Sequence, residues 1–141
     1  MPITQTFYYT GGIQTFTVPS EVTSLTIKAI GTSGGSAPYS TPGHGTSMQG
    51  DFSVAPGEII TILVGGKGGN ADHEGAGGGG GSFVWFNSPD SNLLLAAGGG
   101  GGASYYINGL NTVTTSSGTN GNPGGAGGTN RTGGLGGFVN Q

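Results

Sequence analysis

The densest group of ionisable side chains is Asp72-His73-Glu74, two carboxylates and an imidazole in consecutive positions. Such oxygens suit Ca²⁺, and the imidazole adds affinity for a transition metal. Three consecutive residues rarely turn towards one ion without ligands from elsewhere in the chain. Asp72, His73 and Glu74 are therefore weak metal candidates, and the expectation is a solvated loop tip with no metal site. The other histidine, His44, stands alone in Pro42-Gly43-His44-Gly45 and reads as a turn residue. Gly75 to Gly80 satisfies the G-x-G-x-x-G dinucleotide pattern, yet it follows a polar loop rather than a strand and no helix follows it. Gly66-Lys67 lacks the spacing and the Ser or Thr of a phosphate-binding loop. Asn130-Arg131-Thr132 is a glycosylation sequon, which counts only in a secreted eukaryotic chain. No Ser/His/Asp or Cys/His arrangement has local support, so no catalytic residue and no cofactor are expected.

Aromatic side chains are the remaining group with recognition chemistry. Tyr8, Tyr39, Trp85, Phe86, Tyr105 and Tyr106 offer a carbohydrate or protein contact surface, although aromatics at strand spacing more often fill cores and seams.

Whatever these residues do, they must be positioned by a backbone in which 35 of 141 residues are glycine. Two runs are unbroken, Gly77, Gly78, Gly79, Gly80, Gly81 and Gly98, Gly99, Gly100, Gly101, Gly102. Elsewhere Gly-Gly-X repeats twice, at 65–70, 124–129 and 133–138. A period of three fits neither an α-helix nor a strand but matches the polyproline II helix, which has three residues per turn and no internal hydrogen bonds. In water such a segment stays loose, because glycine loses more freedom on ordering than any other residue. In a bundle, each helix offers its N–H and C=O groups to neighbours, and close backbone approach forbids side chains. An all-glycine run then marks an interior helix, and Gly-Gly-X a peripheral one. Collagen is excluded, since the repeat is not Gly-X-Y and prolines number 7.

The stretch before Gly65 reads as strands. Phe7–Tyr9 and Ile13–Val18 flank a Gly11-Gly12 turn, and Ser24–Ile30, Asp51–Val54 and Glu58–Val64 alternate apolar and polar residues, with Ala55-Pro56-Gly57 turning between the last two. Further apolar segments at 82–86, 93–97 and 103–107 are spliced directly onto glycine runs. Asn87-Ser88-Pro89-Asp90 reads as a turn and 112–122 as a solvent loop. The expected fold is all-β and essentially without α-helix: one domain, 1–141, in which an antiparallel, jelly-roll-like β-sandwich continues into a bundle of polyglycine II helices. Residues 1–64 are mainly strands in this reading, and 65–141 carry the glycine helices.

Charged residues make up 6% of the chain and the formal charge is -3, so no basic patch exists to bind nucleic acid or anionic lipid. There is no cysteine, hence no disulfide or thiolate metal site. Residues 1–7 show neither a basic nor an apolar signal region, and no apolar stretch is long enough to insert in a membrane.

The succession Glu58–Gly65, Gly77–Gly81 with Ser82-Phe83-Val84, Leu93–Ala97 with Gly98–Gly102-Ala103-Ser104, and Asn120-Gly121-Asn122-Pro123-Gly124 resembles the glycine-rich extracellular domain of anaplastic lymphoma kinase and leukocyte tyrosine kinase receptors. It implies a β-sandwich joined to a hexagonal polyglycine II bundle. Those receptors carry cysteines, a membrane span and a kinase domain that are absent here, so no signalling role follows. Gln14–Pro19, Val22–Ile27 and the glycine-rich sequence after them are also similar to modules of bacteriophage tail-fibre adhesins and other virion-surface proteins. This second resemblance implies a non-enzymatic structural or display protein on a virion surface or outside a cell. Its partners would be other virion or fibre proteins or a host surface receptor, with homo-oligomers compatible. The candidate contact loops are 36–46, 70–74 and 112–120, with Tyr39, His44, Asp72, His73 and Thr115 at their centres. A fibre subunit adding copies at strand edges is the alternative, followed by an ice-binding glycine face.

Overall fold

The computed structural model describes residues 3–87 and 93–115. The expected turn at 88–90, the glycine repeats at 124–129 and 133–138, the sequon at Asn130 and the loop beyond Thr115 lie outside the described residues.

Alternation of period two produces the strands. They are β1 (Ile13–Thr17), β2 (Ser24–Ile30), β3 (Ser47–Ser53), β4 (Ile59–Leu63), β5 (Ser82–Phe86) and β6 (Leu93–Ala97). The fold is all-β, with no α-helix among the described residues. Antiparallel pairing gives one sheet in the order β1-β4-β5-β6 and a second of β2-β3. Phe16, Ile60 and Phe86 are directly opposite one another across the first sheet, as are Ile62, Val84 and Leu95. These two rows meet Leu25, Ile27, Ala29, Met48 and Phe52 of the second sheet in one core. Ile60 is 2% exposed, and burying a side chain of that size contributes roughly 1.5–3 kcal/mol. The turn between β3 and β4 needs Gly57, whose φ is +85°.

Two expected strands are absent. Phe7–Tyr9 forms none, and β1 pairs with β4 instead. Residues 103–107 form a tight turn closed by a bridge between Ser104 and Ile107.

The glycine-rich half is organised by backbone hydrogen bonds that recur every third residue. Six segments take part: g1 (31–36), g2 (41–46), g3 (65–71), g4 (76–81), g5 (98–103) and g6 (108–112). In g1, the N–H groups of Gly31 and Gly34 donate to Thr46 and Gly43 of g2, while those of Thr32 and Gly35 donate to Gly80 and Gly77 of g4. The carbonyls of Thr32 and Gly35 accept from Gly100 and Ala103 of g5, and those of Ser33 and Ser36 accept from Gly68 and Ala71 of g3. Gly77 and Gly80 of g4 donate to g3, Ala76 and Gly79 to g5, and Gly43 and Thr46 of g2 to g5. Segment g6 donates to g2 from Gly109 and Thr112 and accepts from Gly101 of g5. These bonds specify a triangular lattice of two rows, g3-g1-g2 over g4-g5-g6, and the three-residue recurrence is that of polyproline II.

The lattice corrects two expectations. Segments g1 and g2 are glycine helices within the first 64 residues, so the division at Gly65 does not hold. An unbroken glycine run marks an interior helix in one case of two: the run 98–102 is central g5, bonded to g1, g2, g4 and g6, but the run 77–81 lies at the end of its row and the other central segment, g1, reads Gly-Thr-Ser-Gly-Gly-Ser. Glycine is required only at positions that face a neighbouring backbone. A Cβ on Gly79 would lie 2.6 Å from the Ser33 carbonyl oxygen, and one on Gly100 would lie 2.7 Å from the His44 carbonyl carbon.

Side chains fasten the edges. Asn108 and Asn111 of g6, three residues apart, accept through Oδ1 from the N–H groups of Thr41 and His44 of g2, and Asn70 of g3 accepts from Ser36 of g1. The junction with the sandwich rests on Ser82, which is 5% exposed. Its Oγ donates to the Ile30 carbonyl at 2.7 Å and accepts from the Gly65 N–H at 3.1 Å, tying β2, β4 and β5 where they become g1, g3 and g4.

Candidate functional site

Each outgoing glycine segment leaves a strand, turns, and returns as its neighbour: g1 to g2, g3 to g4, g5 to g6. The three turns, 37–40, 72–75 and 104–107, therefore lie at the end of the bundle remote from the strands. Ala37 and Ser40 close the first turn through reciprocal backbone bonds, and Ser104 and Ile107 close the third. Ser40, itself buried, donates through Oγ to the Ser104 carbonyl and joins the two turns.

This clamping assembles an aromatic cluster. The rings of Tyr39 and Tyr106 are stacked with centroids 5.6 Å apart and planes inclined by 16°. Tyr105 stands edge-on to both, at 5.2 Å from Tyr39 and 4.4 Å from Tyr106. His73, from the second turn, lies 6.4 Å from Tyr105. Tyr39 is 68% exposed and Tyr106 is 75% exposed. Rings so paired present flat apolar area with a polar hydroxyl edge at low entropic cost, the combination that favours Tyr at recognition surfaces.

Of the expected contact residues, the structure gathers Tyr39 and His73 here, with Asp72 and Glu74 exposed on the His73 turn. It does not bring His44 or Thr115. His44 lies along g2, where its N–H donates to Asn111 and its carbonyl accepts from Thr112, and Thr115 follows g6 after that segment has returned towards the strands. Among the described residues, no three His, Asp or Glu side chains are grouped to hold a metal ion. Tyr105 and Tyr106, expected on a strand at 103–107 and also among the aromatics offering a contact surface, belong to the cluster. The signal was the repeated arrangement of a short tyrosine-bearing segment between two glycine stretches, Ala37-Pro38-Tyr39-Ser40 and Ser104-Tyr105-Tyr106-Ile107.

The other aromatics lie elsewhere. Phe83 and Trp85 stack on the outer side of the four-stranded sheet, 5.7 Å apart. A cavity of about 930 Å³ opens between residues 3–7, β2 and β4, lined by Phe7, Phe16, Leu25, Ile27 and Ile62 among others. Lys28 is its one ionisable lining residue, so no acid–base pair faces it.

No protein-family model and no curated protein matches this chain. Among the described residues no helix is long and apolar enough to cross a membrane.

Proposed function

We propose that the protein is a non-enzymatic display module of a virion surface, in the manner of a bacteriophage capsid decoration or fibre-tip adhesin, that holds an aromatic contact surface out towards a host receptor. The observation that carries this reading is the exposed Tyr39–Tyr105–Tyr106 cluster with His73, assembled from three turns at one end of a backbone-bonded bundle. A scaffold of this kind separates its tasks: the sandwich supplies burial, the lattice supplies stiffness, and the clamped turns leave Tyr39 and Tyr106 exposed for contact.

The test has two parts. Labelled protein should bind a subset of bacterial cells in a panel, and the double variant Tyr39→Ala, Tyr106→Ala should lose that binding by tenfold or more, about 1.4 kcal/mol, while its melting temperature stays unchanged. Equal binding by the variant would remove the tip from the account. Antibody labelling that finds the protein on no particle would remove the virion.

A fibre subunit is the second reading. It is favoured by the outer edges of β1 and β6, which pair with no other strand among the described residues and are templates for a further copy. Filaments formed spontaneously by the pure protein would support it over the first.

A further inference from the structure

The four-stranded sheet is only half covered. Strands β2 and β3 pack against β5 and β6 and come close to neither β1 nor β4. The cavity of about 930 Å³ occupies that gap, with Phe16, Ile60 and Ile62 as its floor and residues 3–7 as its outer wall. Its third side is β2. All seven residues from Ser24 to Ile30 line the cavity, inward and outward positions alike, whereas no residue of β3 does. Successive residues of a strand share one side only along its edge, so the cavity is a trough that runs the length of β2 on the side away from β3.

That edge is a ladder with one side unmade. Thr23 and Gly31, just beyond the two ends of β2, bond to Val54 and Thr46 on the β3 side. Bonding alternates along an antiparallel pair, so Leu25, Ile27 and Ala29 also turn their N–H and C=O groups to β3, while Ser24, Thr26, Lys28 and Ile30 turn theirs to the trough. The Ile30 carbonyl shows the direction, because it accepts from Ser82 Oγ on β5, which lines the trough at its bundle end. Among the described residues β3 is the only strand paired with β2. The outer edges of β1 and β6 are open as well, but β1 contributes Phe16 alone to the trough and β6 contributes nothing. What sets β2 apart is an open edge that runs beside an apolar floor.

The dimensions suit one strand. Seven residues at about 3.3 Å span about 23 Å, and 930 Å³ over that length is a cross-section of about 40 Å². A strand about 4.8 Å from its neighbour, between sheets about 10 Å apart, occupies about 48 Å².

We propose that the trough receives an extended segment of a different polypeptide, which adds to β2 as a third strand and completes the sandwich over β1 and β4. The surroundings set the chemistry of that segment. Every second residue faces Phe16, Ile60 and Ile62 and is apolar, and the residues between face solvent beside Thr26 and Lys28. Lys28 is exposed and is the one ionisable residue of the lining, so an Asp or Glu opposite it fixes the register. An alkyl chain laid in the same trough would cover the backbone groups of Thr26 and Lys28 without pairing them, which favours a peptide. The trough belongs to the sandwich, so a partner held there leaves the tyrosine end of the bundle free.

Amide exchange in the full-length chain is the test, with and without the capped peptide Thr-Val-Thr-Ile-Glu-Val-Thr. In the protein alone, Thr26 and Lys28 should exchange freely while Leu25, Ile27 and Ala29 are protected. The peptide should slow Thr26 and Lys28 by at least about tenfold, and the rearranged peptide Val-Ile-Val-Thr-Thr-Glu-Thr should not. Ile62→Trp, which fills the floor, should abolish the effect while Leu25 and Ile27 stay protected, the sign that the sandwich is intact. The proposal is overturned if the alternating peptide leaves both amides unchanged, if the rearranged peptide protects them equally, or if Ile62→Trp with an intact sandwich still responds. It is also overturned if Thr26 and Lys28 are already slow in the protein alone: at every concentration, which would assign the trough to the protein's own chain, or increasingly with concentration, which would assign it to a second copy.

Discussion

Adding one methyl group at Gly100 and one at Gly69 should have opposite effects, and the difference can be worked out from the lattice. A Cβ on Gly100 would overlap the Gly43 carbonyl oxygen and sit 2.7 Å from the carbonyl carbon of His44. Real Cβ atoms essentially never come within 3.0 Å of such neighbours, so g2 must move away from g5. The move strains three bonds: Gly34 N–H to Gly43 at 3.1 Å, Gly43 N–H to Gly101 at 2.9 Å and Thr46 N–H to Gly98 at 2.9 Å. At about 1 kcal/mol each the bonds account for about 3 kcal/mol, and residual overpacking adds about 1–3. The total, about 4–6 kcal/mol, is a large share of the roughly 5–15 kcal/mol that holds a domain folded. At about 2–4 °C per kcal/mol for a chain of this size, the melting temperature should fall by about 10–20 °C. At Gly69 a Cβ meets nothing within 4 Å and no unusual φ forbids it. Alanine there reduces the freedom of the unfolded chain and should raise stability by about 0.4–1 kcal/mol. Thermal denaturation of the two single variants followed by circular dichroism is the assay. Similar shifts for both, or a Gly100→Ala protein melting within 1–2 °C of the parent by the same scale, would refute the lattice reasoning.

Three other perturbations probe the remaining levels of the structure. Ser82→Ala leaves the Gly65 N–H and Ile30 carbonyl without their shared partner at the sandwich–bundle junction, and chemical denaturation should show a loss of about 1–3 kcal/mol. Asn111→Ala removes the acceptor for His44 at an exposed edge, where water replaces it, so stability should drop by only about 0.5–1 kcal/mol. Exchange at the His44 amide should quicken, and Asn111→Asp, which keeps an accepting oxygen, should restore it. Ile60→Ala opens a cavity in the sandwich core and should cost about 2–5 kcal/mol in the same denaturation assay, a value near zero being incompatible with a core centred there.

Strands were legible where period two and apolar content agreed. Ser24–Ile30, 82–86 and 93–97 appear in the structure with the expected bounds, and β1 and β4 lie inside the expected segments. Phe7–Tyr9 and Tyr105–Ile107 have equally good β-propensity, yet one lacks a partner strand and the other has too few residues between two glycine segments to do more than turn. Glycine helices were legible at 65–70, 77–81 and 98–102, where repetition made the period visible. Segments g1 and g2 were hidden because a side chain is tolerated wherever no backbone approaches, so Thr32, Ser33, Pro42 and His44 dilute the signal to isolated glycines such as Gly31 and Gly34, three apart. The site was half legible. Tyr39 and His73 stood out as loop residues, but their convergence with Tyr105 and Tyr106 depends on which segments lie side by side in the lattice, and no local pattern encodes that order.

The central claim is that the glycine-rich half is a hydrogen-bonded lattice, not a set of linkers, and amide hydrogen exchange measured residue by residue tests it most directly. The N–H groups of Gly35, Gly79 and Gly100, bonded to Gly77, Gly100 and Thr32, should exchange as slowly as those of Ile60 and Val84 in the sandwich core. Exchange of these glycine amides at the rate of an unstructured peptide, with the sandwich still protected, would contradict the account.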